Sequence, residues 1–216
     1  SDVYKRQRMF IKEGTEVSVS ELLKGMIIQS GNDASCALAE KIAGSQSAFA
    51  DLMNSYAEQL GLENTNFVNP TGLPDINHYS TANDIAKLSI RLIEDFPDNY
   101  ALFKEKEYTF NNIRQLNRNS LLWQDDSIDG IKTGHTNDSG YCLVASAERD
   151  EMRLIAVTLD STSEKTRLQD SRRLLDYGFR FFKTKKLLSS FQEISSVDVW
   201  AGTNEKVFVG PKEDIY

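Results

Sequence analysis

The sequence predicts an α+β fold: a helical subdomain, then an antiparallel sheet covered by a C-terminal helix, then the start of a small β-rich domain. Three observations carry this. The first hundred residues hold helix caps and apolar stripes at helical spacing, whereas from about residue 107 the apolar period shortens to two. A long amphipathic pattern then follows two adjacent β runs, over about residues 163–182. Helices in one block followed by strands in another exclude a chain of alternating βαβ units.

The elements follow in order. Ser18-Val19-Ser20-Glu21 is a capping box, in which hydroxyl and carboxylate satisfy orphan N–H groups at a helix start. The helix it opens carries Leu22, Leu23, Met26 and Ile27 and breaks at Ser30-Gly31-Asn32. A second helix runs from about Asp33, with Ala34, Ala37, Leu38 and Ile42 expected inward. A third, from about Ser45 to Leu60, is expected to bury Phe49, Leu52, Met53 and Tyr56. The run Asn69 to Asp75 is turn chemistry, and Thr81 caps a helix carrying Ile85, Leu88 and Leu92 that ends near Pro97. Strands are expected at Glu107–Phe110, Ile128–Thr133, Tyr141–Ala147 and Met152–Leu159, the last two forming a hairpin across 148–151. The long helix presents Leu168, Leu174, Leu175, Phe179 and Phe182 on its apolar side. Beyond Lys186, valines 197, 199, 207 and 209 around Gly202 and Gly210 begin a separate β-rich unit. The expected domains are thus 1–184 and 185–216, both truncated, and residues 1–7 (SDVYKRQ) lead into nothing and read as a non-native scar.

At 216 residues the chain can bury a full core without a disulfide or metal staple. Its net charge of −7 and the lack of a basic cluster beyond Lys183–Lys186 argue against a nucleic-acid partner, since phosphate binding needs a concentrated basic face. No stretch approaches the ~20 apolar residues of a spanning helix. Cys36 and Cys142 have no metal-ligand spacing and read as two inert, buried thiols. No cofactor or metal is implied.

Two short strings carry chemistry. Ser30-Gly31-Asn32 reads blandly as a helix C-cap followed by an N-cap. Functionally, it holds a hydroxyl and a carboxamide on a rigid corner. Lys132-Thr133-Gly134 reads blandly as a strand end with a Gly turn. Functionally, a cation and a hydroxyl flank a residue whose missing side chain lets a substrate backbone lie against the strand edge. His135 is an acid–base candidate by residue type, against a packing role beside the cleft. His78 sits in a turn and reads as structural. Arg167, near a helix start, opposes the helix dipole, which leaves a purpose or a solvated surface position open. Arg118, in Asn117-Arg118-Asn119, is a weaker candidate for the same charge field, with a structural hydrogen-bonding role as the alternative.

Taken together, Ser-x-Asn between helices and Lys-Thr-Gly on a strand some 100 residues later resemble the second and third elements of the active-site serine penicillin-recognising enzymes. The strings QSGNDASCALAEKIAGS, FNNIRQLNRNSLLW and IDGIKTGHTNDSGYCLVASA resemble the D-alanyl-D-alanine carboxypeptidases among the low-molecular-mass penicillin-binding proteins, from about Met9 onward. The resemblance implies a β-lactamase/transpeptidase-like fold and a serine-type carboxypeptidase that removes the terminal D-alanine from peptidoglycan stem peptides through an acyl-enzyme. It implies that Ser30 relays a proton to the departing amine and that Asn32 binds the substrate amide. Lys132 would supply positive potential, Thr133 would donate to the substrate carboxylate, and Gly134 would keep the strand edge open. His135 and Arg118 would line the substrate field, and Arg167 would bind the terminal carboxylate. The family's nucleophile lies in a Ser-x-x-Lys motif, and no serine here is followed three positions later by lysine, so a fragment with that motif upstream of Ser1 is expected. The implied partners are stem peptides and, in a full-length parent, β-lactam antibiotics, in a periplasmic or extracytoplasmic place with a C-terminal membrane anchor. Three rivals are carried: a serine β-lactamase, a non-catalytic peptidoglycan-binding module, and a Cys36–His135 hydrolase.

Overall fold

The computed structural model describes residues 8–216; the expected scar over 1–7 lies outside the described residues. The chain divides into two compact units, one ending at Gly178 and one running from Phe179 to Tyr216.

In the first unit, α1 (Val19–Gln29) starts at the capping box. The Ser18 hydroxyl accepts from Glu21 N–H, and the Glu21 carboxylate accepts from Ser18 N–H at 3.2 Å. Ser30 ends α1 in the left-handed conformation, φ 59°, and α2 (Asn32–Ala43) begins two residues later with Gly31 as its N-cap. The positive φ therefore falls on the serine and not on the glycine, whose φ is −64°. Then come α3 (Gln46–Gln59), capped by Ser45, and α4 (Ala82–Asp95), capped by Thr81, whose hydroxyl accepts from Asp84 N–H. A single turn, α5 (Pro97–Tyr100), completes the helical block. Met9, Leu22, Ala34, Leu38 and Phe110 form the core where α1 and α2 meet.

Two strands, β1 (Glu107–Phe110) and β2 (Ile113–Leu116), form a hairpin through Asn111 and Asn112, both at positive φ as a type I′ turn requires. The sequence reading missed β2, because IRQL is too short and polar to show an alternation. Next, β3 (Ile128–Thr136), β4 (Gly140–Arg149) and β5 (Met152–Ser161) form an antiparallel sheet in the order β3-β4-β5. The turn between β4 and β5 again puts two residues, Asp150 and Glu151, at positive φ. Over this sheet lies α6 (Glu164–Phe181), where the Ser171 hydroxyl meets Thr158 of β5 at 2.9 Å and Leu175 is fully covered. This mixed helical and antiparallel architecture is the one the sequence predicts.

The apolar stripes are rotated from where the sequence reading put them. Ile42, Leu52, Tyr56, Leu174 and Phe182 are exposed. In their place α3 buries Ala50 and Ala57, and α6 buries Arg167 and Ser171 alongside Leu175, which lies inward as expected. Periodicity gives a stripe but not its centre, and small or polar residues take the inner line where a neighbour comes close. In the second unit, β6 (Ser195–Asp198) pairs antiparallel with β7 (Lys206–Val209), and Leu188 bridges Ile215. Val199 lies just past β6.

Candidate active site

A cleft of 1020 Å³ in the first unit is lined by Ser30, Asn32, Arg118, Lys132, Thr133, Gly134, His135 and Arg167, all the residues singled out from the sequence for the site. Four separate elements bring them there.

The Ser30–Asn32 corner is held from below. Gly31 N–H donates to Gly25 O at 3.0 Å, closing the end of α1. A Cβ at residue 31 would lie 3.0 Å from Asp33 Oδ1 and 3.2 Å from both Gly25 O and Met9 Cβ, so crowding and not backbone conformation favours glycine. The Asp33 carboxylate accepts from the N–H groups of Met9, Phe10 and Ile11 at 2.8, 3.0 and 3.2 Å. That tether lays the incoming chain under the corner. Asn32, first residue of α2, is only 5% exposed yet faces the cleft.

Opposite stands β3. Lys132 Nζ donates to Ser30 Oγ, and to Thr133 O at 3.1 Å. Burial, with the guanidinium charges of Arg118 and Arg167 nearby, pushes the Lys132 amine down to about 7. A lysine so placed carries its proton only part of the time at neutral pH. Thr133 pairs with Leu143 and Gly134 with Cys142 on β4. A Cβ on Gly134 would meet only Cys142 Cβ, at an ordinary 3.7 Å, so nothing within the chain itself requires glycine there. The open side of β3 is an edge, since among the described residues its sheet continues only through β4.

Two arginines frame the cleft differently. Arg118 Nε donates to Gln29 O at 2.9 Å and its backbone N–H to Ile28 O at 3.3 Å, so it satisfies carbonyls that the end of α1 leaves unpaired. Arg167 is 4% exposed, donates to Glu164 Oε1 at 3.1 Å and reaches Cys142 O at 3.5 Å, while its Nε has no partner. The surface alternative for Arg167 is thereby corrected: it is buried, because the first turn of α6 packs against β4. His135 is exposed and its ring lies 4.0 Å from that of Tyr141.

The two cysteines part company. Cys36 is buried, and burial with Glu40 and Asp33 raises its thiol pKa, which disfavours a thiolate nucleophile. Cys142 is half-buried and lines the cleft, a correction to the expectation of two buried thiols, because the bare Gly134 opposite leaves it uncovered. Sequence reasoning also missed Glu164, Tyr141 and the Pro70–Pro74 loop in the wall of the cleft. His78 is not in that wall; Val68 N–H donates to its Nδ1 at 3.4 Å and Phe67 meets it edge-on.

Comparison with known proteins gives a consistent result. D-alanyl-D-alanine carboxypeptidase DacA of Escherichia coli strain K12 is 49% identical over 209 residues, covering 96% of this chain and 52% of its own. DacF of Bacillus subtilis strain 168, also a D-alanyl-D-alanine carboxypeptidase by name, is 38% identical over 213 residues, covering 96% of this chain and 54% of its own. The crystal structure of penicillin binding protein 5 from Haemophilus influenzae superposes with a TM-score of 0.87 at 46% identity, over 96% of this chain and 61% of that one. The chain therefore spans about half the length of the curated relatives it matches. The profile of one family, D-alanyl-D-alanine carboxypeptidase, matches residues 2–163, starting ahead of Met9, where the resemblance read from the sequence begins. A profile match over three quarters of the chain, with relatives this similar along nearly all of it, means that the chain belongs to the D-alanyl-D-alanine carboxypeptidase family.

Proposed function

We propose that this chain provides the proton-relay and carboxylate-recognition parts of a serine-type D-alanyl-D-alanine carboxypeptidase site, acting on peptidoglycan stem peptides outside the cytoplasmic membrane. The observation that supports it most directly is the hydrogen bond from Lys132 Nζ to Ser30 Oγ, at the foot of a cleft that also holds Asn32 and Arg167. A nucleophilic serine, which would belong to a Ser-x-x-Lys pair, gives its hydroxyl proton to that lysine and attacks the carbonyl carbon of the penultimate D-alanine. The bond to the terminal alanine nitrogen breaks, that amine takes a proton, and water later cleaves the ester. Ser30 passes the proton, and Lys132, with an amine poised near neutrality, supplies it to Ser30 or takes it back. Asn32 holds the substrate amide. The terminal carboxylate rests near Thr133 and Arg167, whose planar fork suits two parallel charge-assisted bonds. His135 and Arg118 shape the field, Arg118 also by holding the end of the helix that bears Ser30.

Along the chain we assign 1–184 to the peptidase domain and 185–216 to the beginning of a β-rich domain. β-Lactams mimic the acyl-D-alanyl-D-alanine end and enter the same cleft. A membrane anchor following the β-rich domain, and a periplasmic place, complete the reading. It is tested by calorimetric titration of the chain with an acyl-D-alanyl-D-alanine peptide and its L,L-isomer. Saturable binding of the D,D-peptide alone, weakened by Lys132→Ala, supports it. Equal binding of both isomers, or binding indifferent to Lys132, overturns it.

A further inference from the structure

On the way to Lys132, β3 contains one residue with no partner on its neighbour. Ile128 pairs with Ala147, but Gly130 pairs with Ser146 and Lys132 with Val144, so Asp129 has no partner on β4 and forms a β-bulge. Removing one residue from such a strand turns every later side chain to the other face. In an unbulged β3, Lys132 would stand opposite Leu143, which is fully buried, and Ile131 would point into the cleft. The bulge also explains why Ile128 and Ile131, three residues apart, are both buried, a spacing that a regular strand does not permit.

The bulged residue is held on two sides. Tyr100 OH donates to Asp129 Oδ1 at 2.9 Å, and Arg153 of β5 donates to Asp129 Oδ2 at 2.6 Å. Arg153 also donates to Ser146 Oγ at 2.7 Å, on the very residue that pairs with Gly130, and its guanidinium lies 5.6 Å from the centre of the Tyr100 ring. A Cβ on Gly130 would come within 2.5 Å of Tyr100 OH, so glycine is what admits the phenol to the bulge. Gly130 O accepts from Asn119 Nδ2 at 3.0 Å, which fixes the backbone from its free side. None of these groups lines the cleft.

We propose that Asp129, held by Tyr100 and Arg153, is a positioning residue: it fixes the bulge that turns Lys132 away from the core and onto Ser30. The inference deepens the proposed function, on which the importance of Lys132 rests, but its geometry stands apart from any ligand. Without the clamp, β3 gains freedom to slip or straighten, and Lys132 leaves the enclosure formed by Ser30, Arg118 and Arg167.

The test is the titration of Lys132 followed by carbon NMR at its ε-carbon, in the chain as it stands, with cross-strand contacts between Lys132 and Val144 read from the same samples. Asp129→Ala is expected to raise the Lys132 midpoint by about one pH unit or more toward the ordinary lysine range, with those contacts weakened. Tyr100→Phe, which removes one hydroxyl and keeps the ring, is expected to shift it in the same direction by less, and serves if Asp129→Ala does not fold. Asp129→Glu, which keeps a carboxylate for both donors, is expected to restore part of the shift. Asp84→Asn, a buried carboxylate in α4 outside the cleft, controls for general loss of stability and should leave the midpoint alone. An unchanged midpoint and intact Lys132–Val144 contacts in Asp129→Ala, or in Tyr100→Phe where that is the variant read, would overturn the proposal. Failure of the wild-type chain to bind the D,D-peptide counts instead against the proposed function and leaves these readouts as they are.

Discussion

Lys132 Nζ and Ser30 Oγ, 102 residues apart in sequence, share one hydrogen bond. The serine sits at a left-handed helix end and the lysine on an edge strand. The amine is enclosed and two arginines repel its charge, which makes its proton labile.

The chain as given should form no covalent adduct with labelled penicillin. It contains no serine with lysine three residues on, so preorganised donors have no attack to assist. Intact-mass spectrometry checks this; a stoichiometric adduct that maps to a serine of this chain would sink it.

In a longer form of the protein that carries a Ser-x-x-Lys pair, Lys132→Ala should slow acylation on the order of 10²-fold, comparable to losing one preorganised donor. Lys132→Arg should recover only part of that. A guanidinium is wide, planar and permanently charged, whereas the site uses a compact amine that can lose its proton. Stopped-flow acylation by a chromogenic β-lactam gives the rates, and wild-type values in Lys132→Ala would reduce the string to a strand end.

Arg167→Ala, in the same longer form, should erase the preference for a peptide with a free C-terminal carboxylate over its amide. A charge-assisted contact of this kind contributes about 1.5–3 kcal/mol. The comparison is kcat/KM for acid and amide in both proteins. Equal losses on the two substrates would assign Arg167 to packing between α6 and β4 instead.

Lys132 should also give stability a particular pH dependence. Its folded-state midpoint is about 7, whereas an unfolded lysine titrates near 10.4. Between those values the unfolded chain binds more protons, so the stability of the wild type rises with pH from about 7 to 10. Below the window the cost of burying the charge is present in full. Lys132→Met removes a penalty of up to about 5 kcal/mol at pH 6 that has largely vanished by pH 10. Urea unfolding of both proteins across that range measures the difference. Parallel stability curves would show that the buried amine titrates normally.

Much of this protein is legible in its sequence because the signals are local. The capping box at Ser18 and Glu21, the Thr81 cap, the change of period after residue 107 and the two short motifs each depend on neighbours within a few residues. A cap or an alternation is decided by its own backbone, so the helix starts and the longer strands could be named in advance, whereas the candidate cleft residues came from the family resemblance of the two motifs. Only the tertiary structure decided which face of a helix turns inward, where α3 chose Ala50 and Ala57 over Leu52 and Tyr56. It also buried Arg167 where a surface position was open, and gave Arg118 the carbonyl of Gln29 to hold. The aim of Lys132 belongs to the same class: one unpaired residue, Asp129, sets its face, and a bulge is defined only by the strand beside it. Side-chain type is written locally, but the direction in which a side chain points is settled by what packs against its backbone from far along the chain.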